Sequence, residues 1–414
     1  MLGQWRGMEV SREGYAIFSH GRIGTMPVTN RLVRSATWDP SVVFARRMNQ
    51  ETLERYRELA VGGVATIITG DFPVVPEGVL RRAPPAQVPY SYEGARIEQI
   101  ADLPEMVHRV APQCKIVAQL SRGGPGPGPS NVPSPFGADP FKPLVLDEIA
   151  ATIELFAQGV VAMKSAGFDG VQLHAAHGGL LSRFVSPYSN RRQDQYGGSL
   201  QNRVRIIREI VRGARARVGG FPILIKVNGT DYLEGGIDMR SFPALAKALE
   251  SCGVDAIEIS GGMWDCLVRS ELELGFRPVP AAASHTRISR PEDQSYFLGY
   301  AEVLDLDIPV ILTGGNRDVE VLEKILQHGK IDFLGMCRPF LSEPGLASRW
   351  LRGEGESWTD CISCNSCLYW MYAHPGSSHP LDPRCLIKHD RGQHRVAQTW
   401  LSNWVEENRV SPLQ

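Results

Sequence analysis

Two histidines three residues apart, His174 and His177, close the apolar start of VQLHAAHGG and have the most direct chemical reach in this chain. A neutral imidazole donates a hydrogen bond to an oxygen that gains negative charge, or hands over a proton. The run leading to them, Gly170 to Leu173, is apolar, and a polar loop punctuated by glycines follows as far as Arg203. A strand ending in polar groups, then a loop and a helix, is how α/β proteins deliver side chains to a site. A second concentration of chemistry lies near the C-terminus. There Cys361, Cys364 and Cys367 follow at two-residue spacings, and Cys385 comes after seventeen intervening residues. Thiolates so spaced suit an iron–sulfur cluster or a tetrahedral zinc ion. Cys114, Cys252, Cys266 and Cys337 are scattered, as buried small hydrophobes are.

The elements that must position these groups are legible as apolar periodicity. β-rich runs recur at Leu32 to Ala36, Val64 to Thr69, Ile116 to Leu120, Gly170 to Leu173, Ile223 to Val227, Ala256 to Ser260, Val310 to Thr313 and Phe333 to Met336. Helical periodicity fills the gaps: Gln50 to Val61, Ile97 to Val110, Asp147 to Ala166, Ser199 to Val218, Ser241 to Ser251, Pro291 to Leu304, Asp318 to Gln327 and Glu343 to Leu351. Strand–helix units in this alternation predict an α/β fold closed into a (β/α)8 TIM barrel. A doubly wound open sheet is the rival, but no glycine fingerprint follows the first strand.

In a barrel the residues that end the strands share one face. That rule nominates Ala36, Thr37 and Trp38, then Gly70, Gln119, the two histidines and Lys226. Gln119 offers a donor and an acceptor, and Lys226 a positive charge for an electron-rich ring. Gly314 and Gly315 ahead of a helix, with Cys337 and Arg338 after the last strand, have the make-up of a barrel phosphate site. Two insertions fall on the same face: Ser121 to Phe141, rich in proline and glycine, and Gly262 to Arg290. The second carries Trp264, Arg269, Arg277, His285 and Arg287 and reads as a substrate lid.

Composition narrows the class. The chain has 414 residues, 43% hydrophobic and 21% charged, with a formal net charge of -1. Nothing in that balance attracts nucleic acid or anionic lipid. No run is long and apolar enough for a membrane helix, and the first twenty residues carry no signal-peptide core, so a cytoplasmic protein is expected. The expected division is a barrel over residues 1–355 and a C-terminal extension with the cysteines over 356–414.

Together NRLVRSAT (30–37), IVAQL (116–120), AGFDGVQLHAAHG (166–178), SPYSNRRQDQYGGSLQNR (186–203) and GMCRPF (335–340) resemble the old yellow enzyme family, over roughly residues 15 to 350 and in the same order. The resemblance implies FMN on a single barrel. Gln119 and Lys226 would bind the flavin pyrimidine edge, although most members have arginine where this chain has Lys226. Gly314, Gly315, Cys337 and Arg338 would bind the phosphate, and Ala36, Thr37, Trp38 and Gly70 would line the flavin. His174 and His177 would hold a carbonyl-type substituent as charge develops on it. Members have a tyrosine where Gly179 stands, and that tyrosine protonates the substrate. Its loss leaves solvent, Tyr188, Tyr232 or Trp264 as donor, or a reaction without that proton. The motif CISCNSC is similar to the [4Fe-4S] segment of the trimethylamine dehydrogenase and dienoyl-CoA reductase branch, with Cys361, Cys364, Cys367 and Cys385 as implied ligands and zinc as the alternative. The pyridine-nucleotide module those relatives carry further on is expected to be absent, since the chain ends at Gln414.

The implied activity is hydride transfer between flavin N5 and a small organic substrate, foremost NAD(P)H-dependent reduction of an activated C=C bond. Two alternatives stay open. One is a trimethylamine-dehydrogenase-like dehydrogenase or demethylase that passes electrons through an iron–sulfur cluster to an electron-transfer protein. The other is a non-catalytic or electron-transferring flavoprotein subunit. A homo-oligomer is compatible with either.

Overall fold

A computed structural model describes residues 11–37, 39, 48, 50–74, 97–122, 127–132, 142–277, 281–368 and 385–407. Eight parallel strands close into a barrel: β3 (Leu32–Arg34), β4 (Thr66–Pro73), β5 (Lys115–Ser121), β6 (Gly170–Ala175), β7 (Ile223–Thr230), β8 (Ala256–Gly261), β9 (Val310–Leu312) and β10 (Phe333–Met336), with β10 pairing back onto β3. Each predicted apolar run is one of these strands. The (β/α)8 barrel is therefore the fold.

Two apolar layers hold it. The outer one lies between strands and helices and is formed by residues such as Ile67, Ile116, Val171, Ile225 and Ile257 packing on Leu103, Phe156, Ile210 and Leu245. The inner one fills the barrel with Val33, Ile68, Val117, Leu224, Ala256, Ile311 and Phe333. A short antiparallel hairpin, β1 (Gly21–Ile23) and β2 (Met26–Val28), adds Ile23, Met26 and Val28 to the inner cluster. Its two-residue turn needs the positive φ of Gly24, 55°. Sequence periodicity missed this hairpin because three-residue strands carry too little alternation to register.

Most predicted helices stand within a residue or so of their expected bounds. The stretch from Pro291 to Leu304 does not: a 3-10 turn at Pro291–Asp293 and a helix at Leu298–Glu302 flank a break. Ser295 takes a positive φ of 49° there. The broken backbone lets Gln294 Oε1 accept the N–H groups of Arg317 and Asp318, both at 2.8 Å, and Ser295 Oγ donate to Asn316 Oδ1 at 2.8 Å. Helix is given up there to tie down the loop after β9. The expected Ser199 to Val218 helix is split at Val204 into Leu200–Arg203 and Arg205–Val218.

Candidate active site

Strand alternation sorts the barrel interior into layers. Two residues above the apolar Val117, Leu224 and Ala256, on the same face of each strand, stand Gln119, Lys226 and Glu258, all buried. Gln172 of β6 pairs in register with Gln119. These four side chains form one chain of hydrogen bonds. Lys226 Nζ donates to Glu258 Oε1 at 3.0 Å, Gln172 Nε2 donates to Glu258 Oε2 at 2.6 Å, and Gln119 Nε2 donates to Gln172 Oε1 at 2.7 Å.

His174 pairs in register with Lys226, and two residues beyond Lys226 and Glu258, towards the C-terminal mouth, come Asn228 and Ser260. Asn228 Oδ1 accepts the backbone N–H of His177 at 3.2 Å, and His177 Nε2 lies 2.7 Å from Ser260 Oγ. His177 adopts a left-handed φ of 58°, which turns its ring back toward its neighbour. The two imidazoles meet edge to face, 5.1 Å between centroids. Nδ1 of His174 is buried with no hydrogen-bond partner among the described residues. Burial first, then the Lys226 charge, pushes His174 down to about 3. Burial and the neighbouring His174 and Lys226 push His177 well below its ordinary value. Both rings are therefore neutral donors near pH 7.

At the β9–β10 end, Gly314 and Gly315 take φ values of 96° and 86°. A Cβ on either would meet the Tyr296 ring, at 2.7 and 2.8 Å. Tyr296 stacks on His285 (3.8 Å) and His285 on Phe276 (3.7 Å), so three rings lie beside the glycine turn. Arg338 is buried and donates to the His285 carbonyl at 2.8 Å and to Asn365 Oδ1 at 2.5 Å. Cys337 Sγ lies 2.9 Å from Thr37 Oγ1, joining the ends of β3 and β10. Ala36 packs on the inner cluster. The N–H of Gly70 is donated to the Tyr56 hydroxyl at 3.2 Å, and its lack of a Cβ makes room for the Thr37 carbonyl. Trp38 lies outside the described residues.

The Gly262 to Arg290 insertion divides its expected lid residues. Arg269 donates to the Tyr232 carbonyl at 2.9 Å, Arg277 to the Leu401 carbonyl at 3.3 Å, and Arg287 pairs with Glu271 at 3.1 Å. Trp264 reaches the histidine loop, its indole 3.0 Å from where a Cβ of Gly178 would stand. Tyr232 packs edge-on against Phe276, and burial drives its phenol far up, so it keeps its proton at neutral pH.

The cysteine segment is fastened to the barrel. Arg317 Nη2 donates to Ser363 Oγ at 3.0 Å, Arg338 binds Asn365, and Ser363 and Asn365 are buried. Behind it, Gln398 of the Arg391–Glu407 helix donates to the Cys364 carbonyl at 3.0 Å. Among the described residues no group of three or more His, Cys, Asp or Glu side chains is arranged to hold a metal ion. Cys361, Cys364, Cys367 and Cys385 are free thiols in this structure. The strand-end donors do fit FMN. Lys226, Gln119 and Arg338 are buried, His174 Nδ1 has no partner among the described residues, and Gly314 and Gly315 have positive φ, the donor types and backbone that FMN needs.

Sequence reasoning missed Gln172, Asn228, Glu258 and Ser260. The available signal was a carboxylate in the otherwise apolar strand AIEIS, since such a group is buried only with a partner.

Among the described residues, no helix is long and apolar enough to cross a membrane. Comparison with curated proteins finds a metal reductase of Desulforamulus reducens, 30% identical over 367 residues, covering 85% of this chain and 51% of that protein. A cinnamate reductase of Clostridium sporogenes is 26% identical, covering 91% of this chain and 59% of that protein. The chain thus spans between half and three-fifths of the length of these two. Among solved structures, a complex of 2-naphthoyl-CoA reductase superposes with a TM-score of 0.76 at 24% identity, over 91% of this chain and 58% of that one, and shares its fold. The model of the NADH:flavin oxidoreductase / NADH oxidase family, whose members are FMN-dependent oxidoreductases, matches residues 16–354. Barrel, strand-end donors and that match converge, and the chain belongs to this family.

Proposed function

We propose that the protein binds FMN in the C-terminal mouth of the barrel and reduces an activated C=C bond, with NAD(P)H as the electron source. The observation that carries this reading is the pair His174 and His177, side by side, held neutral, with one ring nitrogen unpartnered and His174 in register with the buried Lys226. The chemistry FMN supplies when bound is reversible two-electron transfer between a nicotinamide and an electron-poor double bond. Gln119 and Lys226 would hold its ring, and Gly314, Gly315, Cys337 and Arg338 its phosphate.

The side chains of the chain itself do the rest. Two neutral imidazoles donate to the oxygen of a conjugated carbonyl and bind it harder as negative charge moves onto that oxygen. Ser260 and Asn228 fix the ring and backbone of His177, so little reorganisation is needed as charge builds. With glycine at 179, the substrate carbon receives its proton from water rather than from a side chain at that position. The relative named a cinnamate reductase supports reduction over oxidation as the working direction.

The test is anaerobic. Protein loaded with FMN and bleached by NAD(P)H should regain its yellow colour when 2-cyclohexenone is added. The double variant His174→Ala, His177→Ala should bind FMN yet reoxidise about 10²–10³-fold more slowly. The reading fails if bleached protein ignores every enone while amines bleach the oxidised form. Iron and zinc analysis of protein purified without oxygen decides separately whether the four cysteines hold a metal; no step above depends on one.

A further inference from the structure

We infer that Glu258 is a positioning residue that sets both the net charge beside Lys226 and the direction in which Gln119 presents its amide to the cofactor. The inference rests on the flavin reading above. Glu258 is 0% exposed, and an ionised carboxylate can only accept hydrogen bonds. One oxygen takes Lys226 and the other takes the Nε2 of Gln172. With its nitrogen so directed, Gln172 turns its carbonyl to Gln119, at 2.7 Å from Gln119 Nε2.

Gln119 must therefore donate to Gln172, which leaves its own carbonyl oxygen and second N–H for a ligand. Flipping both amides would set the Gln172 carbonyl against a carboxylate, two buried acceptors with no proton between them. The carboxylate thus acts at a distance of two side chains, through an ordered relay rather than by touching the ligand. A planar heterocycle that offers an N–H beside a carbonyl, as the pyrimidine ring of a flavin does, matches the face this polarity presents.

Charge follows from the same contact. Lys226 on its own would place a full cation in the barrel mouth, but its partner lies 3.0 Å away and both side chains are buried. The site is a compensated pair, which favours negative charge on the reduced ring less than a lone lysine would.

The test uses the full chain loaded with FMN. FMN affinity and the midpoint potential against a reference dye are measured at pH 6 for wild type, Glu258→Gln and Gln172→Met. Glu258→Gln leaves Lys226 uncompensated, so reduced FMN should gain at least about tenfold over oxidised FMN, which for a two-electron couple raises the potential by about 30 mV. Gln172→Met keeps the ion pair and breaks the relay. It should leave the potential unmoved and weaken oxidised FMN about three- to tenfold. Unchanged potential in folded Glu258→Gln overturns the charge role. Wild-type affinity in Gln172→Met overturns the relay, and decides it even if Glu258→Gln does not fold. A wild type that takes up no FMN overturns the flavin reading itself, an outcome distinct from variants that behave like a yellow wild type.

Discussion

Gly179 sits at φ −61° and ψ 168°, which any L-residue adopts, and a Cβ there would meet nothing closer than the Ala176 carbonyl at 3.5 Å. Neither backbone nor packing demands glycine. Its neighbour Gly178 is the opposite case, with φ 77° and the Trp264 indole at 3.0 Å. A Cβ at 179 would make only ordinary contacts, with the carbonyls of Ala176, Arg122 and His174. Gly179→Ala should therefore change unfolding free energy by less than about 1 kcal/mol, because the lost N-cap preference is offset by reduced freedom of the unfolded chain. Gly178→Ala should cost about 1–3 kcal/mol. Equal losses for the two in urea unfolding would make Gly179 a structural glycine. At this scale the sequence was half legible. His174, His177, Gln119 and Lys226 stood out because they end apolar runs. Gln172 and Glu258 did not, because the hydrogen-bond partners that give them meaning lie 53 and 86 residues away along the chain.

The strands were the most legible elements, since burial on both sides writes them as nearly unbroken apolar runs. Their ends were less so. β4 runs on to Pro73 and β7 to Thr230, beyond their apolar cores, and both carry register shifts near those ends that periodicity does not encode. On β10, Gly335 is fixed by close approach: a Cβ would collide with the Thr313 methyl and stand 2.5 Å from Ser35 Oγ. Thr313 and Ser35 directly follow the strands flanking β10, so glycine is what lets the last strand approach both neighbours. Gly335→Ala should destabilise by about 1–3 kcal/mol through overpacking and weaken FMN binding, since Cys337 and Arg338 follow directly. A variant with wild-type thermal stability would show that β10 has slack to move. The broken Pro291 to Leu304 stretch is the matching failure of pattern reading, because what interrupts that helix is the need to cap a loop elsewhere.

At the scale of the whole molecule, three half-buried imidazoles among the described residues are held neutral. His174 and His285 are pushed down to about 3, chiefly by burial, and His177 falls well below its ordinary value for the same reason. In the unfolded chain each titrates near 6.5. Between about 6.5 and about 3 the unfolded chain binds more protons than the folded one, so stability is fully present above 6.5 and is lost as pH falls through that window. Urea midpoints of flavin-free protein should be level above about pH 7 and drop below about 6.5, with a slope of one to three protons. A midpoint that rises on acidification would contradict neutral imidazoles. The hairpin β1–β2 adds a consequence of its own. By filling the N-terminal end of the barrel with Ile23, Met26 and Val28, it leaves the Lys226–Glu258 pair a vessel with one opening. Whatever occupies the far mouth acts as its stopper and removes the high dielectric from a pair of charges it need not touch. Ligand occupancy should therefore be readable as slower deuterium exchange at the backbone amides of β7 and β8, deep in the barrel.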